Sequence, residues 1–132
     1  VSLDHVGQDG IECLDDILWI KSLIIERVKP KGTIILNGDC QPLVEHIKKK
    51  PHLLDEGRKL IYFSKNKDSQ LIQNHLEQGG VCFYSEGEMI YLAKGEEVAP
   101  LVNIKEIPLT LKGTANFQIE NALAAIAACY AQ

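Results

Sequence analysis

The sequence predicts an α/β fold: a mostly parallel sheet flanked by helices, with an antiparallel β extension. Three observations predict it. Short apolar runs, Thr33-Ile34-Ile35-Leu36 and Leu60-Ile61-Tyr62-Phe63, alternate with segments of helical period. Residues 81–92 then carry a hairpin pattern around Gly87, and an alanine-rich stretch follows Phe117. The composition, 45% apolar and 24% charged over 132 residues, is that of a globular protein with a sizeable core. It excludes intrinsic disorder, and glycine and proline lack the period of collagen. No run approaches the roughly 18 apolar residues of a membrane helix. The longest, Ile17 to Ile25, is broken by Lys21.

Each element has its own signal. Ser2 to Val6 could end a strand, and Gly7 and Gly10 bracket a loop. From Glu12 to Val28 the period is helical, with Leu14, Ile17, Leu18, Ile25 and Val28 on one face and Pro30 and Gly32 as the stop. Thr33 to Leu36 reads as a strand closed by the turn Asn37-Gly38-Asp39. Pro42 suits the first turn of a helix carrying Leu43, Val44 and Ile47. Leu60 to Phe63 is the next strand, and Asp68 or Ser69 caps a helix that stops at Gly79-Gly80. Val81 to Tyr84 and Met89 to Leu92 make the hairpin, and a third strand runs from about Val98 to Ile104. The last helix covers roughly Phe117 to Ala131.

Charge and cysteine usage narrow the function classes. Fourteen basic and 18 acidic residues give a net charge of −4, which argues against a nucleic-acid partner. Cys13, Cys40, Cys82 and Cys129 lie in separate segments without a Cys-x-x-Cys pair, as expected of reduced thiols in the cytoplasm. The first residues carry no secretory signal, and no segment calls for a membrane. The absent initiator Met and the uncapped last helix suggest an excised piece of something larger. Lys48-Lys49-Lys50 reads as a solvated helix C-terminus.

Three residues carry candidate chemistry. At 100° per residue Lys21 lies about 20° from Leu14, in the middle of an apolar stripe. A lysine there must be paired, neutralised, modified or snorkelling. His5 follows Asp4 at a candidate strand end, where α/β sheets bind ligands, although a surface or capping role fits it too. Asn121 opens an alanine-rich helix; it could cap the helix or pair with an adenine edge. No Gly-x-x-x-x-Gly-Lys-[Ser/Thr], Gly-x-Gly-x-x-Gly or Gly-x-Ser-x-Gly occurs, and no Cys/His cluster suggests zinc.

The stretch from Ser2-Leu3-Asp4-His5-Val6-Gly7 through Leu14-Asp15-Asp16 to Lys21-Ser22 resembles the central domain of Mur ligases, particularly the cyanophycin synthetase branch. Ile35-Leu36-Asn37-Gly38-Asp39, Pro108-Leu109-Thr110-Leu111-Lys112-Gly113 and Phe117-Gln118-Ile119-Glu120-Asn121-Ala122-Leu123-Ala124-Ala125 follow in the family's order. By this resemblance His5 binds Mg²⁺, Lys21 is the carbamylated lysine whose carboxylate also binds Mg²⁺, and Asn121 and Gln118 face the nucleotide. Gln118 and Cys40 depart from the family's usual Asn and Asp, and Gln41 looks like an insertion.

The resemblance implies ATP-dependent amide formation through an acyl phosphate, with ATP and Mg²⁺ as cofactors. The substrate would be a small molecule or a peptide polymer: arginine joined to aspartate side chains in the cyanophycin branch, an amino acid joined to a UDP-linked muramoyl peptide in the cell-wall branch. It also implies that residues 1–132 are the C-terminal portion of a central ATP-binding domain, lacking the upstream phosphate loop and the downstream substrate domain, and inactive alone. A non-catalytic α/β binding or assembly module is the other reading. A truncated sheet with an open edge leaves room for a homo-oligomer.

Overall fold

The computed structural model describes residues 13–110 and 116–132. The strand expected at Ser2 to Val6 lies outside them, as do His5 and residues 111–113 of the Pro108 motif. The described chain divides into two compact units, residues 13–34 with 40–59, and residues 35–39 with 60–110 and 116–132.

The first unit is helical. Helix α1 (Leu14–Glu26) starts where the Asp16 carboxylate accepts the Cys13 backbone N–H at 3.0 Å, and it ends before Pro30. Helix α2 (Gln41–Lys49) begins with Pro42, where a missing N–H costs nothing. Val44 and Ile47 of α2 are buried, with Ile17, Ser22 and Ile25 of α1 and Leu53 of a 3₁₀ turn (Pro51–Leu54). The lysine run closes α2 as expected, and Lys50 pairs with Glu26 at 2.5 Å. That ammonium, with the charge of His46, holds the Glu26 carboxyl below the usual carboxylate range.

The second unit carries the sheet. Its strands are β1 (Thr33–Asn37, shared with the first unit), β2 (Lys59–Ser64), β3 (Val81–Glu86), β4 (Met89–Lys94) and β5 (Glu97–Asn103), in the spatial order β1-β2-β3-β4-β5. Strands β2 and β3 are parallel, with Ile61 opposite Val81 and Ser64 opposite Tyr84. Their crossover is α3 (Gln70–Glu77), whose N-cap Ser69 accepts the Ile72 N–H. The β3–β4–β5 meander is antiparallel. Its two-residue turns place Gly87 and Gly95 at φ 58° and 57°, a left-handed conformation that favours glycine. The expected parallel sheet with an antiparallel extension is therefore present, with β5 ending at Asn103 and Ile104 turning inward.

Consecutive strand residues point to opposite faces. Phe83 points towards α4 (Asn116–Tyr130), where it joins Ile61, Ile90 and Ile104 against Ile119, Ala122, Leu123 and Ala127. The spacing 119, 122, 123, 127 is one helical stripe, and its alanines let the helix lie close to the sheet. Cys82 and Tyr84 point to the α3 side. Burial there, with the negative charge of Asp39, pushes the Cys82 thiol up to about 12.

Replacing Leu123, fully buried in this stripe, by Ala should cost about 2–5 kcal/mol, read as a lower urea midpoint with unchanged slope. A thiol with a pKa about four units above the medium is ionised to about one part in 10⁴ at pH 8. Iodoacetamide should therefore label exposed Cys13 and Cys129 in the native protein and leave Cys82 unmodified until urea unfolds it, as peptide mass mapping would show.

Candidate functional site

The chain turns sharply after β1. Asn37 Oδ1 accepts the Asp39 N–H at 2.9 Å, a side chain closing its own turn. The Gly38 N–H donates to the Phe63 carbonyl at 2.8 Å, which docks the turn on β2. A Cβ on Gly38 would lie 3.0 Å from Ile72 Cδ1, so glycine permits this close approach.

Asp39 then ties the two strand ends together. Its Oδ1 accepts the Ser64 hydroxyl at 2.5 Å, and its Oδ2 accepts the Lys65 N–H at 2.7 Å. Ser64 is fully buried, and its Oγ also accepts the Asn66 N–H at 2.8 Å. These bonds lie where β1 and β2 end, the edge at which α/β sheets bind ligands.

Helix α4 reaches the same edge through Glu120. One carboxylate oxygen accepts Asn37 Nδ2 at 3.2 Å, and the other pairs with Lys65 Nζ at 2.5 Å. On either side of Glu120 stand the two residues expected to face a nucleotide. Asn121 Nδ2 donates to Gln118 Oε1 at 2.9 Å, so the structure brings this pair together. Whichever way the two amides turn, their mutual bond leaves one donor group and one acceptor free, and Asn121 is exposed. An adenine edge offers the complementary acceptor and amino donor.

Sequence reasoning missed Ser64, Lys65 and Glu120. Glu120 was marked only by lying between two candidates, and Lys65 only by following a strand.

Lys21 corrects an expectation: it is exposed, not buried within an apolar stripe. The buried arc of α1 runs through Ile17, Ser22 and Ile25, and the buried Ser22 hydroxyl is satisfied by the Trp19 carbonyl at 2.7 Å. Helix α1 is apolar almost all round, with Trp19 64% and Ile24 73% exposed, yet its buried Ile17 and Ile25 lie on the face that the periodicity marks. The snorkelling reading accounts for the lysine's position.

Lys21 belongs to the first unit and Gln118 and Asn121 to the second. His5 lies outside the described residues. Among the described residues no three His, Cys, Asp or Glu side chains could hold a metal ion, so they do not by themselves form the Mg²⁺ site expected on His5 and Lys21. Among the same residues no helix is long and apolar enough to cross a membrane. No disulfide joins the four cysteines.

Comparison with known proteins accords with this architecture. The Mur ligase middle domain family matches residues 1–129. A cyanophycin synthetase of Trichormus variabilis is 33% identical over 132 residues, the whole of this chain and 14% of that protein. One of Nostoc sp. is 33% identical over the same length, also 14% of the protein. One of Synechocystis sp. is 35% identical over 130 residues, 98% of this chain and 14% of the relative. The chain thus spans about one-seventh of the curated relatives it matches. With a family match over nearly its full length and an α/β sheet bearing a polar cluster at the strand ends, the chain belongs to the Mur ligase middle domain family.

Proposed function

We propose that these residues form part of the nucleotide-handling domain of an ATP-dependent ligase that makes amide bonds in the cytoplasm. In this reading a substrate carboxylate attacks the γ-phosphate of ATP, giving an acyl phosphate and ADP. An amine then displaces phosphate, leaving the amide and releasing a proton. The substrate pair is arginine and the aspartate side chain of a growing peptide polymer, a reading supported by the cyanophycin synthetase relatives and by the Pro108 to Gly113 motif.

The observation that carries the reading is the Gln118–Asn121 amide pair beside the β1 and β2 ends, within a family-wide match. Its free donor and acceptor would hold the adenine edge, and Glu120 would fix α4 at the right height through Lys65 and Asn37. His5 and the carbamate of Lys21 would hold Mg²⁺, which when bound offsets phosphate charge. Within the 132 residues no phosphate-cradling loop motif occurs, so the isolated segment should not turn over ATP.

The test uses the full-length protein with ATP, a peptide-polymer primer and arginine. Phosphate release and amide formation should both require arginine. Asn121→Ala should raise the KM for ATP about tenfold while leaving that for arginine unchanged. Lys21→Ala should lower kcat on the order of 100-fold, with partial recovery on adding a short carboxylate such as acetate. Ligation only to a UDP-linked muramoyl peptide would replace the polymer reading. Absence of any amide product, or ATP turnover by the isolated 132 residues, would overturn the proposal.

A further inference from the structure

Helix α1 buries one side, through Ile17, Ser22 and Ile25, and leaves its other side open among the described residues. On that outer side Asp16, Ile20, Leu23 and the C-cap Arg27 follow one another at steps of four, three and four residues. Such steps bring side chains onto one stripe along a helix. Trp19 and Ile24 flank the stripe on its two sides and are the most exposed of the large apolar residues, and Ile20 is exposed with them. An open groove of about 520 Å³, lined by Leu23, Ile24, Arg27 and Val28, lies along this side. A contiguous apolar surface of this kind marks a place where the protein meets a partner.

The charges say which partner. The stripe starts with a carboxylate, Asp16, and ends with a guanidinium, Arg27, with Ile20 and Leu23 between them. Asp16 accepts the Cys13 N–H, and a carboxylate has acceptor sites for a guanidinium as well. Arg27 makes no ion pair among the described residues. Turned end for end, the same stripe is its own complement.

We infer that this side of α1 is an interface between two copies of the protein, which join through an antiparallel α1–α1 seam about a two-fold axis. In that register Asp16 of each copy faces Arg27 of the other, and Ile20 of each faces Leu23 of the other. Both pairs occur twice by symmetry, as an isologous interface requires. The start of each helix also lies beside the end of the other, where their dipoles attract. Trp19 and Ile24 cover the seam from its flanks and keep water from the ion pairs. Two helices about 20 Å long make less than a standard interface, so the association is weak and reversible, with a Kd on the order of 10 µM. Lys21 lies about 160° from Leu23 by rotation and stays clear of the seam, so the interface does not rest on the ligase reading.

The test is sedimentation equilibrium of the full-length protein without ATP, over about 1–100 µM, with urea midpoints of every variant. A concentration-dependent doubling of mass is expected. Ile20→Lys and Leu23→Glu should each weaken it about tenfold or more, since each sets two charges against apolar partners. An equimolar mixture of these two variants should regain the doubled mass, because one seam then holds a Lys–Glu pair and a native Ile–Leu pair. Arg27→Glu, which sets carboxylate against carboxylate, should weaken it about fivefold or more, and high salt should erase the difference from the parent. Lys48→Glu, a charge reversal on α2, should change nothing. Absence of doubling, doubling that survives Ile20→Lys, failure of the mixture to regain it, or an equal loss with Lys48→Glu would overturn the inference. So would unfolding of Ile20→Lys at much lower urea with no change in mass, which would mean that another part of the same polypeptide covers this side of α1.

Discussion

The Asp39 carboxylate is the constraint on which the strand-end site depends. It accepts a hydroxyl from Ser64 and a backbone N–H from Lys65, and so ties the turn after β1 to the end of β2. Both donors are local to one β-strand end, yet the acceptor comes from 25 residues earlier in the chain. Without that acceptor the buried Ser64 hydroxyl would fall back on the Asn66 carbonyl at 3.1 Å and exchange a charge-assisted bond for a longer, neutral one. The same carboxylate lies close enough to Cys82 to add to the burial that keeps its thiol protonated. Structure and chemistry therefore meet at one side chain: it closes the sheet edge and sets the charge beneath it.

Glu120 extends that constraint to α4. An exposed lysine–glutamate pair contributes little stability by itself, because water screens it and two long side chains must be ordered. The same carboxylate also accepts from Asn37, however, so the pair fixes a helix against two strand ends at once. The stability of the arrangement comes from beneath, where Leu123 and Ala127 are buried against Phe83 and Ile90. The polar contacts then settle how α4 presents Gln118 and Asn121. The core supplies the energy and the surface bonds supply the register.

Much of this was legible from local pattern. The runs 33–36 and 60–63 read as strands because each is short, apolar and bounded by turn residues. Ser69 and Gly79 marked the ends of α3, and Gly87 and Gly95 marked turns whose left-handed φ only glycine adopts without strain. Asn121 and Gln118 were found by resemblance and do meet in space. The Asn37–Glu120 bond was not legible, because 83 residues separate its partners and neither has a local signature. The inward face of α1 was legible, since Ile17 and Ile25 are buried as expected, but not the exposure of Lys21, which lies within about 40° of both by rotation. Its side chain is long enough to leave that stripe for water, which periodicity counts as burial. The short 3₁₀ turns at 51–54, 104–106 and 108–110 have no period to read.

The alternation along β3 divides the labour between the two faces of the sheet. Phe83 faces α4 and is committed to the core; Tyr84, its neighbour, faces the α3 side and stacks on Tyr91. A change of shape at Phe83 would be felt by every residue packed around it, since interiors have no slack. A change at Glu77, Glu96 or Val98 meets solvent on one side and leaves that packing intact. The edge strand β5 shows the same division: Pro100 and the register shift beside Ile90 and Tyr91 discourage pairing with another strand, while Val98 and Leu101 stay exposed. A sheet built this way can hold α4 fixed on one side and leave the chemistry of the other side free to differ.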